Sequence, residues 1–332
     1  MKLLPKGVRA PISLGYLLAR ASDTIADTRG PSSTVRKSLL VRYRGLIHVE
    51  KPSETEVELL ANEIRQEILP KVHHDGEQAL LGQIEACFGW LRKFSGPDRS
   101  ALHKVLDLIV KAQINDVEVF GAANRLNLQF LQNEADLVRY ADMVAGSVGI
   151  FWTEICAARD ANFADMTVDA MRSRGERYGR GLQILNIVQD LGDDLKAGRC
   201  YLPHEQLLEG GWVEGTWMSN QASIMNVSKI WLDRAELEIR QGLAYAEQLN
   251  GKRLRVATIL PALIAARTIR DIRKSQSSFL KNRIKVPRAD VKKILWKATL
   301  CAWTGRGFEP LFEELIKRPS DNEVTRPGQH LS

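Results

Sequence analysis

Apolar residues recur along most of this chain at the spacing of amphipathic helices, and no segment alternates apolar and polar residues between hairpin turns. The pattern predicts helices over 8–28, 33–48, 54–70, 77–94, 98–115, 134–160, 163–196, 217–249, 253–275 and 288–302. Turn-forming clusters separate them: Gly30-Pro31-Ser32-Ser33, Ser95-Gly96-Pro97-Asp98, Gly210-Gly211 and Asn250-Gly251. The expected architecture is all-α, a single-domain helical bundle around a central cavity spanning 1–318. The polar stretch 319–332 is expected to be a disordered tail.

Two of these helices break their apolar pattern with narrow polar rows. In the first, Tyr16, Arg20, Asp23 and Asp27 fall within a stripe about 60° wide at about 100° per residue, among Leu14, Leu17, Leu18 and Ile25. In the second, Gln183, Asn186, Asp190 and Asp194 form an equally narrow stripe among Leu182, Ile184, Leu185, Ile187 and Val188. Each row holds an Asp-x-x-x-Asp pair, two carboxylates one turn apart that repel unless a cation sits between them. Polar groups in apolar helices cost free energy unless they are paired or bind metal. Two such pairs predict facing helices that hold divalent cations around an anionic substrate. Oxygen ligands of this kind favour Mg²⁺, which takes one or two carboxylates plus phosphate oxygens and water. The plainer alternative is a solvated face that carries aspartates.

Composition narrows the field. The 332 residues are 44% hydrophobic, enough for a substantial core. No run of eighteen apolar residues predicts a transmembrane helix, and no cleavable signal peptide is visible. The net charge is +7, but Lys and Arg are scattered among acidic residues, without a basic stripe interleaved with aromatics. No nucleic-acid partner is therefore expected. An anionic substrate and an anionic membrane surface explain the charge better. Cys87, Cys156, Cys200 and Cys301 show neither metal spacing nor a paired framework, which suits a reducing cytosol. His73-His74 before Asp75-Gly76 has the composition of a loop.

The polar rows also carry a specific resemblance. Tyr16-Leu-Leu-Ala-Arg20-Ala-Ser-Asp23-Thr-Ile-Ala-Asp27 resembles the first signature of the squalene/phytoene synthase family, the head-to-head prenyl transferases. Gln183-Ile-Leu-Asn186-Ile-Val-Gln-Asp190-Leu-Gly-Asp193-Asp194, continued to Gly198-Arg199-Cys200-Tyr201-Leu202-Pro203, resembles the second. Tyr140-Ala-Asp-Met-Val144-Ala145-Gly146-Ser147-Val148-Gly149 resembles a third block. The resemblance runs from about Pro5 to about Arg288 and implies an isoprenoid-synthase type of helical fold.

It implies a chemistry as well. Asp23, Asp27, Asp190 and Asp194 would hold Mg²⁺, with Asp23 and Asp190 essential to turnover. Arg20 and Arg199 would bind the diphosphate of farnesyl diphosphate, since guanidinium matches phosphate geometry, and Tyr16 would also contact the substrate. Arg283, in a strand-like piece over 282–286, would add a phosphate contact or be a surface arginine. Gln183 and Asn186 would orient ligands or bond helix to helix. Tyr140 would shuttle a proton and steady a carbocation, or be a buried tyrosine with its hydroxyl satisfied. Gly146 and Gly149 argue for a bend or a close approach of a chain. A prenyl tail against that bare backbone would have Val144, Val148 and Phe151 as its wall.

The departures matter too. Gln189 stands where many relatives carry arginine. Relatives place a Ser-x-Ser-Phe segment and most of a helix before Leu4-Pro5, so the natural protein is expected to start upstream of Met1, its N-terminal helix truncated here. Phe151 and Trp152 are expected to shorten the cavity towards C15 tails. Ala257 and Thr258 replace the Phe-Cys of eukaryotic relatives in the region shaping the second step. The expected activity is condensation of two farnesyl diphosphates to presqualene diphosphate and on to squalene, with NADPH needed if squalene is the product. Presqualene diphosphate, dehydrosqualene or phytoene synthesis are the alternatives, and a non-catalytic prenyl-diphosphate-binding scaffold is the reading from a different class. A cytoplasmic monomer, peripheral on the inner membrane face, completes the expectation.

Overall fold

In the computed structural model, which describes residues 3–124, 127–213 and 215–317, the all-α expectation holds. The helices are α1 (Lys6–Asp27), α2 (Ser33–His48), α3 (Glu54–Glu63), α4 (Asp75–Gly82), α5 (Ile84–Leu91), α6 (Gly96–Phe120), α7 (Glu134–Ala141) and α8 (Ser147–Ala157). They continue with α9 (Val168–Ala197), α10 (His204–Glu209), α11 (Gln221–Glu247), α12 (Lys252–Ser275), α13 (Arg288–Thr304) and α14 (Glu309–Ile316). Two short strands, β1 (Gln129–Phe130) and β2 (Arg199–Cys200), pair in parallel.

Local chemistry sets several boundaries. Ser32 caps α2 by accepting from the Val35 N–H at 3.2 Å, and Ser53 with Glu56 forms a capping box at the start of α3. Thr167 caps α9 through the Ala170 N–H at 3.3 Å. Gly198 ends that helix at φ +86, where a Cβ would lie 2.3 Å from the Asn124 carbonyl oxygen. Only glycine fits there, and the turn it makes swings Arg199 back towards the site.

The differences from expectation are local. The helix expected over 54–70 passes into a π-helical turn at Ile64–Ile68 and a 3₁₀ turn at Leu69–Lys71. That over 77–94 is broken at Gln83, α6 runs on to Phe120, and α9 and α11 start later than expected. Residues 134–157 stay helical with a π-helical turn at Asp142–Gly146. The strand-like piece around Arg283 is irregular backbone, not a strand. The tail over 319–332 lies outside the described residues.

Two apolar clusters form the interior. One gathers α1, α2, α3, α5, α6 and α8 around Leu14, Leu18, Ile25, Tyr43, Phe88 and Leu102. The other gathers α7, α9 and α11 to α14 around Ile184, Val188, Trp231, Leu263, Phe308 and Phe312. α8 and α9 pack at the seam, and α1 and α9 bring their polar rows to it. Among the described residues no helix is long and apolar enough to cross a membrane.

Candidate active site

The α1 row lies open on one side, with Tyr16 58% exposed. Arg20 donates to Asp23 at 2.6 Å and to Glu77 of α4. Burial, then the neighbouring charge of Asp27, pushes the Asp23 carboxyl up to about 6. Asp27, Asp23, Arg20, Lys71, His73 and Glu77 line a cavity of about 320 Å³, and the His73–His74 segment is a loop as expected.

The α9 row meets α1 through one side chain. Arg199 Nη1 lies 3.2 Å from Asp27 Oδ1, while its Nη2 and Nε reach Asp194 Oδ1 at 2.8 and 3.1 Å. Burial works against the Arg199 charge, but Tyr201, Asp194 and Asp27 outweigh it and keep the guanidinium firmly protonated. Asp194 is 9% exposed, and burial pushes its carboxyl up to about 6 despite that partner. A polar cavity of about 370 Å³ opens here, lined by Asp27, Arg29, Arg36, Asp116 and Arg199 among others.

Asp190 pairs with Arg283, whose Nε lies 2.5 Å from Oδ1. Gln189 donates to the Ile284 carbonyl, so the residue that departs from the family pattern tethers the segment bearing Arg283. Gln183 is half-buried and Asn186 is exposed, one turn before Asp190 on the same face.

Tyr140 stacks against Tyr201 at 5.0 Å, and Tyr201 donates to Asp116 Oδ2 of α6 at 2.6 Å. Burial, then the charge of Asp116, holds the Tyr140 hydroxyl well above its ordinary range. Burial pushes Asp116 up to about 7. Neither Asp116 nor Glu77 stands out in the sequence, each being one of several acids in an ordinary helical pattern. Tyr201 is visible there only as part of the second motif.

Below the polar rows lies an apolar cavity of about 330 Å³. Ala145, Val148, Gly149 and Trp152 wall it on one side, Tyr178, Leu182 and Asn186 of α9 on another, and Ala257, Thr258 and Pro261 of α12 on a third. A Cβ on Gly149 would lie 1.9 Å from the Gly175 carbonyl oxygen, so its bare backbone admits helix α9, while Gly149, Gly175 and Gly179 also line the cavity. Other expectations need correction. Gly146 is likewise buried against Glu176, and neither it nor Val144 lines this cavity. Phe151 is turned away into the α1 side of the core, against Gly15. Trp152 takes the wall position, with its indole N–H buried and unpaired, as is the Thr258 hydroxyl.

Among the described residues no three carboxylate, histidine or cysteine groups converge on one point, and the four aspartates engage arginines instead. Their donor set nevertheless fits a divalent cation. Asp190 Oδ1 is buried and, although Arg283 is close, no hydrogen bond of acceptable angle reaches it. Burial pushes the Asp23 and Asp194 carboxyls up to about 6, a cost that a positive ligand would offset.

The chain is similar to known proteins in sequence and in fold. Residues 1–290 match the model of the squalene/phytoene synthase family. A phytoene synthase from Pseudescherichia vulneris is 32% identical over 103 residues, 30% of this chain and 31% of that protein. A presqualene diphosphate synthase from Zymomonas mobilis is 37% identical over 79 residues, 24% of each. The matched stretch thus spans about a third or less of these relatives' length. In fold, the chain is similar to TcSQS solved with a ligand, at a TM-score of 0.69 and 15% identity, covering 95% of this chain and 90% of that one.

Proposed function

The chain belongs to the squalene/phytoene synthase family, and from that premise we propose that it joins two prenyl diphosphates head to head, with farnesyl diphosphate as the substrate. The observation that carries the proposal is Arg199, which ties Asp27 of α1 to Asp194 of α9 beside a polar cavity that opens onto the seam. An arriving diphosphate competes for Arg20, Arg199 and Arg283, whose forks suit phosphate better than a single carboxylate oxygen. Asp23, Asp27, Asp190 and Asp194, relieved of those arginines, are the residues that would hold Mg²⁺. Bound there, Mg²⁺ supplies neutralisation of the charge that develops on the leaving diphosphate.

The protein's own groups do the rest. The apolar cavity holds the tail away from water, and loss of diphosphate leaves an allylic cation beside it. Forming the new ring releases a proton from the second substrate. Tyr140 relays that proton through Tyr201 to Asp116, the carboxylate closest to neutral pH in this chain of groups. Trp152 at the cavity wall favours C15 tails over C20, and the product is presqualene diphosphate, carried on to squalene when NADPH is supplied. Phytoene synthesis from C20 substrates is the second reading, favoured by the names of several curated relatives.

The test is one assay: purified protein with farnesyl or geranylgeranyl diphosphate and Mg²⁺, with and without NADPH, followed by mass detection of extracted lipid. A C30 product is expected. A C40 product alone would move the assignment to the second reading, and no product from either substrate would make the protein a scaffold. Asp23→Asn and Asp190→Asn should each lower turnover about 100-fold or more while helical content stays unchanged. Wild-type turnover in excess EDTA would count against the metal assignment.

A further inference from the structure

α13 presents two very different faces. Ile294, Ala298 and Ala302 are buried against the core. On the opposite side Trp296, Leu300 and Trp303 are 66%, 46% and 50% exposed, within a stripe about 60° wide at about 100° per residue. Apolar side chains exposed singly are ordinary, but two indoles and a leucine on one face form a patch.

The patch has a cationic rim. Lys292 and Lys293 are exposed at the N-terminal end of the same face. Lys252 places its ammonium 5.8 Å from the centre of the Trp303 ring. Asp290, the acid of this helix, pairs with Arg267 at 3.1 Å and more loosely, at 3.7 Å, with Lys293, whose side chain stays exposed. Indoles between lysines are the composition of a helix that lies in a lipid headgroup layer, where the rings sit at the boundary and the cations meet phosphates. Two other occupants fit less well. A second copy would bring two cationic rims together. The chain's own end, Arg318–Ser332, offers only Val324 and Leu331 as large aliphatic residues and carries two arginines.

We infer that α13 docks this protein on an anionic bilayer, with Trp296, Leu300 and Trp303 in the headgroup layer and Lys252, Lys292 and Lys293 on lipid phosphates. The inference stands on this surface alone and goes beyond the proposed activity. It also gives the fold a direction. α12, which carries Lys252 at one end, walls the apolar cavity about one and a half turns later with Ala257 and Thr258.

The test is co-sedimentation of the full chain with phosphatidylcholine vesicles, with and without phosphatidylglycerol. Binding should require phosphatidylglycerol and weaken with salt. It should fall about tenfold or more in the Trp296→Ser, Trp303→Ser double variant, and likewise in Lys292→Glu with Lys293→Glu. All four side chains are exposed, so melting temperature and helical content should hold, and turnover plays no part in the readout. Equal binding by the wild type and both variants, or no binding to anionic vesicles, would overturn the inference. A wild-type dimer that the tryptophan variant turns monomeric would assign the face to a second copy instead.

Discussion

Arg199 shows how a single residue can be legible in kind and yet unreadable in role. The family motif containing Gly198-Arg199 singles it out as a proposed phosphate ligand, but only the fold reveals that it spans Asp27 and Asp194. The aspartate rows are legible because a carboxylate every fourth residue on a greasy helix has few structural uses. Asp116 is not, since nothing in 98–115 or just after it sets one acid apart from its neighbours. Its chemistry is testable through stability. Burial raises its carboxyl from the ordinary range to about 7, so the folded chain binds a proton there that the unfolded chain has already released. The folded state therefore loses stability as pH rises from about 4 through about 7, and keeps that contribution in full below the unfolded value. The groups facing it are Tyr201, Arg199, Asp27 and Asp194. Asp116→Asn preserves an acceptor for Tyr201 and cannot ionise. Its melting temperature should match the wild type near pH 4 and exceed it by roughly 2–4 °C near pH 8. A gap that stays constant with pH would show that Asp116 ionises as an ordinary exposed carboxyl.

At the scale of elements, the helices are readable from the 3.6-residue period, and the errors follow from physics that the period does not carry. α10 is too short to show two turns of pattern, α14 barely completes two, and β1 and β2 are two-residue pairings made by distant segments. The paired glycines do mark a close approach, and it is one of helix to helix. What approaches is α9: Gly149 meets Gly175, and Gly179 meets Ala145, where a Cβ would lie 2.0 Å from the carbonyl oxygen. Backbone sits on both sides of these contacts, so no rotamer can relieve the clash. Gly149→Ala and Gly179→Ala should each cost about 1–3 kcal/mol or more, by forcing α8 and α9 apart. Gly45→Ala is the control, because nothing lies within 4 Å of the point its Cβ would occupy and a helix gains from alanine. Urea unfolding of the three variants checks this. If Gly149→Ala were as stable as Gly45→Ala, the helices would not be in backbone contact.

On the scale of the whole molecule, the site lies where two apolar clusters meet, and the groups that join them there are charged. Asp23 and Asp27 stand on the cluster built by α1 to α6, whereas Asp190, Asp194 and Arg283 stand on that built by α9 to α14. A ligand bound between them stabilises both clusters at once, because unfolding either one destroys its site. With diphosphate and Mg²⁺ at about a hundred times their dissociation constant, the gain is about 2.7 kcal/mol, or a rise in melting temperature of roughly 2–4 °C. Neither component alone should give as much. Diphosphate by itself competes with aspartates for the arginines, and Mg²⁺ by itself competes with arginines for the aspartates. Together each releases the partner that the other needs, so the two shifts should be more than additive. Thermal unfolding with inorganic diphosphate, Mg²⁺ and both measures this directly, without requiring turnover. Asp27→Asn and Asp194→Asn, one from each side of the seam, should each abolish the excess. Strictly additive shifts, or an excess that survives both substitutions, would place the anion and the cation at separate sites and dissolve the seam as the centre of the chemistry.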